Sequence, residues 1–444
     1  MTSLVRAYRF ALNPTPGQDS ALRSHCGGQR FAYNWGLSLV RSNLGQREAE
    51  KSYGIDADAL TPPLRWSAYG LRKLWNETKK AVAPWWAENS KEAYSSGLAN
   101  LAVALTNWHD SRTGKRRGPV VRFPRFKGKR AGLSCRFTTG GVGLAQTDRR
   151  HVKLPRIGIV RTHESTRKLA RQVERGTARI RSATVTHRAG RWFCSFSVEI
   201  TRNEGKSVRP DSVVGVDLGV KTLAVLSTGE VITNPRHLEV VQRQMWRLAR
   251  QASRRNGPDH RTKATPSNRW RKTHARISKL HAKVANARRD GLHKLTTRLT
   301  RTFGTIVIED LNVAGMLRNR RLARHIAGTG WGELRRQVDY KTAWYGSQVV
   351  VADRWYPSSK ACSGCGTTKA KLSLSERTYR CDRCGLVLDR DLNAARNLAA
   401  LVSSHSWWAT ENEPDGNPRQ TRATRATGIA TGRPGLDSRA NAPS

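Results

Sequence analysis

Three carboxylates and four thiols stand where their chemistry matters more than any packing role. Asp217 interrupts the apolar run VVGVDLG, Glu309 closes IVIED, and Asp391 opens DLNAARNLAAL. Burying an unpaired carboxylate is costly, so an apolar strand tolerates one when a metal or a cation shares the site. Acids brought together from distant parts of the chain could hold two divalent ions about 3.5–4 Å apart, which activate a water and stabilise the leaving oxygen of a phosphodiester. All-oxygen ligands suit Mg²⁺ or Mn²⁺. Each acid alone also has an ordinary reading, as a helix cap or a solvated strand end. Spacing by itself does not choose between them.

The thiols fall as Cys362-x2-Cys365 and Cys381-x2-Cys384, with fifteen residues between the pairs. Paired knuckles at that separation match tetrahedral thiolate coordination of structural Zn²⁺ better than a disulfide framework. Cys26, Cys135 and Cys194 stand apart and are expected to be inert thiols.

These residues need elements to place them, and 444 residues suffice for two or three domains. Lys and Arg number 80 against 33 acids, a formal +47, with 59 Arg to 21 Lys. Such an excess calls for a polyanionic partner. With 14 Trp and 37% hydrophobic residues, an unstructured basic chain is excluded. The start MTSLVRAYRF lacks the apolar core of a secretory signal, and no run nears the roughly 18 apolar residues of a membrane span. A cytoplasmic, soluble protein is expected.

Along the chain, residues 4–12 read as a short strand ended by Pro14 and Pro16, and 17–108 show helical spacing. Strand-like segments follow at 119–123, 151–161 and 180–200, the last a hairpin about Ala189 and Gly190. From Val213 an antiparallel meander is expected, then a long basic helix within 251–300, where 14 cations meet two acids. A strand at 305–310, a helix at 331–346 and a strand at 348–356 complete an α/β pattern. The tail from about Ser404 has the composition of a disordered segment. Trp66, Trp75, Trp85, Trp86 and Trp108 sit at helical spacing and are read as core rather than as base-stacking residues.

The blocks GVDLGVKTLAV, IVIEDLNVAGM and RWYPSSKACSGCG with CDRCGLVLDRDLNAARNLAA, in that order, resemble the split RuvC nuclease and zinc ribbon of the TnpB family. That family comprises RNA-guided nucleases of bacterial insertion sequences related to type V CRISPR effectors. YRFALNPTPGQ and GGQRFAYNWGL resemble its opening helix-turn region, and WGELRRQVDYKTAWYG its segment before the last strand. The resemblance spans about residues 4 to 400. It implies an α/β RNase H-like (RuvC) nuclease domain at 211–355 and 386–403, with an inserted zinc ribbon at 356–385. A wedge-type β unit at 1–16 and 111–205 would precede it, carrying a helical recognition insert at 17–110. Residues 404–444 would form the tail.

By the same resemblance, the catalytic, metal-holding acids fall on Asp217, Glu309 and Asp391, with Asp310 and Asp389 as supporting neighbours. The zinc ligands fall on Cys362, Cys365, Cys381 and Cys384. The implied activity is Mg²⁺- or Mn²⁺-dependent cleavage of double-stranded target DNA beside a short flanking motif. A guide RNA from the transposon end would direct a monomer in the bacterial cytoplasm to the nucleoid. The basic helix around 269–298 would line the guide–target channel through phosphate contacts. Its ordinary reading is a solvated charged face. A guided, repressor-like DNA-binding protein without cleavage is the alternative from another class. An unguided transposase or junction resolvase is disfavoured, because no motif for end recognition or strand joining is present.

Overall fold

The computed structural model describes residues 2–403 except 130–131, 139–140, 146–147, 203–204, 206, 260, 263 and 374. The expected tail from Ser404 lies outside the described residues.

A seven-stranded antiparallel sheet gathers strands from both ends of the first half. The strand Thr2–Asn13 lies inside it and pairs with Arg191–Arg202, setting Phe10 against Cys194 and Leu12 against Trp192. The hairpin partner is Ala178–Arg188, turned at Ala189 and Gly190, which both take positive φ. Residues 151–161 form two strands, His151–Leu154 and Gly158–Thr162, and Ser134–Phe137 adds an edge. Residues 119–123, expected as a strand, carry no regular structure. They lead from a helix across Trp108, whose ring meets Phe123 at 4.9 Å. Pairing to the sheet, not β-propensity, decides such a segment.

Three helices, Pro16–Ser52, Ala68–Val82 and Lys91–Arg112, form the insert. Pro16 opens the first as its N1 residue, behind a Thr15–Gln18 capping box. Gly97 lets two of these helices touch: a Cβ there would sit 2.3 Å from the Gln29 carbonyl. Trp75 is buried, Trp66 and Trp86 pack against the same core, and Trp85 is half-exposed with its ring 5.2 Å from Phe31.

The second half is built on a five-stranded mixed sheet. Arg209–Leu218, Thr222–Leu226 and Val231–Thr233 form the expected meander. Phe303–Glu309 then runs parallel to the first of these and to Gln348–Ala352. That last strand stops four residues short of expectation, and residues 353–356 turn. The basic stretch opens on the end of an unforeseen helix, His237–Ser253, and holds most of a long one, Asn268–Thr302. Leu292, Leu295 and Leu299 of the longer one, with Leu334 and Val338 of Trp331–Tyr345, cover one sheet face. The helix Arg390–Ser403 covers the other, through Leu398 against Val307 and Ala352.

Candidate active site and metal centre

Strand alternation decides which side chains reach the site. Val214, Val216, Ile306 and Ile308 point into the core beneath the long helix. Their neighbours Val213, Gly215 and Asp217, and Val307 and Glu309, therefore face the last helix. Only glycine fits at 215, since a Cβ there would lie 1.9 Å from the Ala395 carbonyl. This close approach lets the helix carry Asp391 over the carboxyl ends of the two central strands.

The acids feel one another's charge. Burial, then Glu309 and Asp391, push the half-buried Asp217 carboxyl up to about 8, although Arg390 pulls it down. Asp391 is bonded to Arg390, whose Nη2 lies 3.3 Å from Asp391 Oδ1. Glu309 Oε1 accepts from Ser358 Oγ at 2.6 Å. The supporting acids have other partners. Asp389 caps the last helix, accepting from the backbone N–H of Asp391 at 2.9 Å and of Leu392 at 3.1 Å. Asp310 Oδ2 accepts from Arg354 Nη2 at 2.6 Å. Neither Ser358 nor Arg390 was legible as a site residue. A Ser in a Pro-Ser-Ser loop is common, and Arg is abundant in this chain.

The raised Asp217 has a stability consequence. A group whose folded pKa exceeds its unfolded value binds more protons when folded, so stability falls as pH rises between the two values. Here that window runs from the ordinary carboxylate range to about 8. Asp217→Asn removes the penalty. In melts without added divalent ion, its gain over wild type is expected to be nil near pH 4 and greatest above pH 8. An equal gain at every pH would exclude this account.

The cysteines form a second centre. All four Sγ atoms lie within 4.8 Å of one another. The Cys362–Cys384 and Cys365–Cys381 separations are both 3.6 Å. Tetrahedral Zn–S bonds of about 2.3 Å place sulfurs about 3.8 Å apart, whereas a disulfide needs about 2 Å. The set thus fits Zn²⁺. The Thr367 side chain and backbone pull the Cys365 thiol down to about 6, toward the thiolate a metal requires, while hydrogen bonds to the other three thiols push Cys384 up. The strands Thr378–Arg380 and Val387–Asp389 pair beside it over a fully buried Tyr379. Cys26, Cys135 and Cys194 are buried, and burial pushes their thiols up, as expected of inert ones.

Residues 195–320 match a family model described as a probable transposase of the OrfB group of IS605 elements. Residues 331–398 match a Cas12f1-like TNB domain, and 1–48 a helix-turn-helix domain of the same OrfB group. A Mycobacterium tuberculosis H37Rv protein, Rv2885c, is 39% identical over 416 residues, covering 89% of this chain and 86% of its own. The chain belongs to the OrfB (TnpB) family. Other members include a Streptomyces pristinaespiralis protein, 34% identical with 90% of each chain covered. InsQ of Escherichia coli K12 is 33% identical, covering 89% and 92%. All three relatives are provisionally named RNA-guided DNA endonucleases. A solved Cas12f1–sgRNA–target DNA complex aligns at TM-score 0.47 with 13% identity, over 89% of this chain and 99% of its own. The OrfB segment at 1–48 is not a helix-turn-helix here. It is a strand followed by one continuous helix through Gly27 and Gly28.

Proposed function

We propose that this TnpB-family chain is an RNA-guided, divalent-metal-dependent DNA endonuclease with a single RuvC-type, RNase H-like site. The observation that carries the reading is the placement of Asp217, Glu309 and Asp391 at one end of a mixed sheet, within electrostatic reach: burial first, and then the other two acids, raise the Asp217 carboxyl to about 8. Arg390 supplies one positive charge against these three carboxylates, which leaves room for a cation, and oxygen ligands of this kind suit Mg²⁺ or Mn²⁺. Bound there, such ions supply an activated water and stabilise a leaving phosphodiester oxygen. The protein's own part is to hold the carboxylates aligned. Arg390 offsets charge at Asp391 and Asp217, Ser358 donates to Glu309, and Asp389 fixes the start of the helix.

Guide binding fits the charge of the rest. Arg9 of the large sheet is desolvated and crowded by Arg289 of the long helix and by Arg188, with Glu164 a partial offset. Such like charges brought together across two elements favour a phosphate backbone between them. On this reading 1–16 and 111–205 form the wedge, 17–110 the recognition insert, and 211–355 with 386–403 the nuclease. Residues 356–385 form the zinc ribbon. The guide RNA comes from the transposon end, the target is double-stranded DNA beside a short flanking motif, and a monomer acts on the nucleoid. Among the described residues no helix is long and apolar enough to cross a membrane.

The test is cleavage in Mg²⁺ of duplexes matched to the co-purifying RNA, across a library of flanking sequences. Cutting beside one short motif is expected. Tight guided binding without cutting anywhere in the library would replace this reading with that of a guided DNA-binding protein.

A further inference from the structure

Ser358 belongs to neither the acids nor the zinc ligands, yet its segment touches both. The residue is 5% exposed, and its Oγ donates to Glu309 Oε1 at 2.6 Å. Its own carbonyl accepts from Asn397 Nδ2 at 2.7 Å. The Ala361 carbonyl accepts from Asn393 Nδ2 and from Asn397 Nδ2, both at 2.7 Å. The Ser363 N–H donates to Asn393 Oδ1 at 2.9 Å. Both asparagines are buried, and Asn393 lies two residues after Asp391 on the last helix.

Glu309 ends its strand on a side chain with three rotatable bonds, and its charge repels that of Asp217. A carboxylate in that position needs an outer donor to fix its rotamer and leave its remaining lone pairs for a cation. Ser358 is such a donor, and its backbone is held in place, because the asparagines bond its own carbonyl and the backbone on either side of Cys362 from the helix that carries Asp391. We propose that Ser358 is a positioning residue for Glu309, held in register with Asp391 by Asn393 and Asn397. The proposal rests on the reading of Glu309 as a metal-holding acid. It goes further by naming the group that makes that acid competent.

The test uses guide-loaded wild type, Ser358→Ala and Ser358→Thr. Mn²⁺ affinity is read by electron paramagnetic resonance and cleavage by single-turnover kinetics. Zinc content, and target affinity without added divalent ion, are measured in parallel. Ser358→Ala is expected to weaken Mn²⁺ binding and slow cleavage by about 10–100-fold, the usual effect of losing an outer partner of a metal ligand. Zinc content and target affinity stay at wild-type values, and Ser358→Thr, which keeps the hydroxyl, restores both losses. Wild-type Mn²⁺ affinity in Ser358→Ala overturns the proposal, while wild-type cleavage in the same assay keeps the nuclease reading intact. Loss of zinc in Ser358→Ala also overturns it, making the residue one that folds the ribbon. A wild-type protein that neither binds Mn²⁺ nor cuts overturns the nuclease reading and this proposal together.

Discussion

Asp217→Ala is expected to slow cleavage of a guide-matched duplex by at least about 10³-fold, because metal activation of water supplies several kcal/mol of the barrier reduction. Guide and target affinity, measured without added divalent ion, should be unchanged, since phosphate contacts and base pairing lie elsewhere. The structure supplies an internal control. Asp389 accepts from two backbone N–H groups at the helix start, and asparagine caps a helix about as well as aspartate. Asp389→Asn should therefore cost far less than Asp391→Asn, which alters a carboxylate facing Asp217. Normal cutting by Asp217→Ala, or equal losses for the two asparagine variants, would remove the triad assignment.

The second large effect concerns the thiols. The core of the segment that carries them is Tyr379 with Cys362 and Cys381, and partly buried Cys365, Leu372 and Leu386. That is too little apolar surface to fold unaided, so metal binding becomes its folding energy, of the order of 10 kcal/mol for structural zinc. Near one zinc per chain is expected, and Cys365→Ser should lose most of it. Because Asn393 and Asn397 tie the knuckle to the helix bearing Asp391, cleavage should fall with the zinc. Full metal content and activity in Cys365→Ser, by elemental analysis and the same duplex assay, would refute this.

Much of the chemistry was legible in the sequence because residue type and spacing are local. The two Cys-x2-Cys knuckles declare a thiolate metal site before any fold is known. An acid inside an apolar strand declares a cost that some partner must offset, as Asp217 does. The meander after Val213 and the strand ending at Glu309 are also local patterns, periodicity 2 closed by turn residues.

What depends on pairing between distant segments was not legible. Residues 119–123 have strand-like composition but pair with no strand among the described residues, Val121 N–H going to Ser111 Oγ instead, whereas Thr2–Asn13 finds a strand nearly two hundred residues away. The helix His237–Ser253 packs along the longer basic helix, a tertiary choice that its own sequence does not announce. Five acids clustered in three motifs could not be ranked by spacing. The tertiary structure gives Asp310 to Arg354 and Asp389 to the helix start, and makes Glu309 and Asp391 the acids that raise Asp217 most. It also sets Ser358 against Glu309 across 49 positions of chain. The sequence by itself determined which groups are available. Register, the alternation of strand faces and the close passage of the last helix over Gly215 decided which of them meet, because those depend on where distant backbones pair.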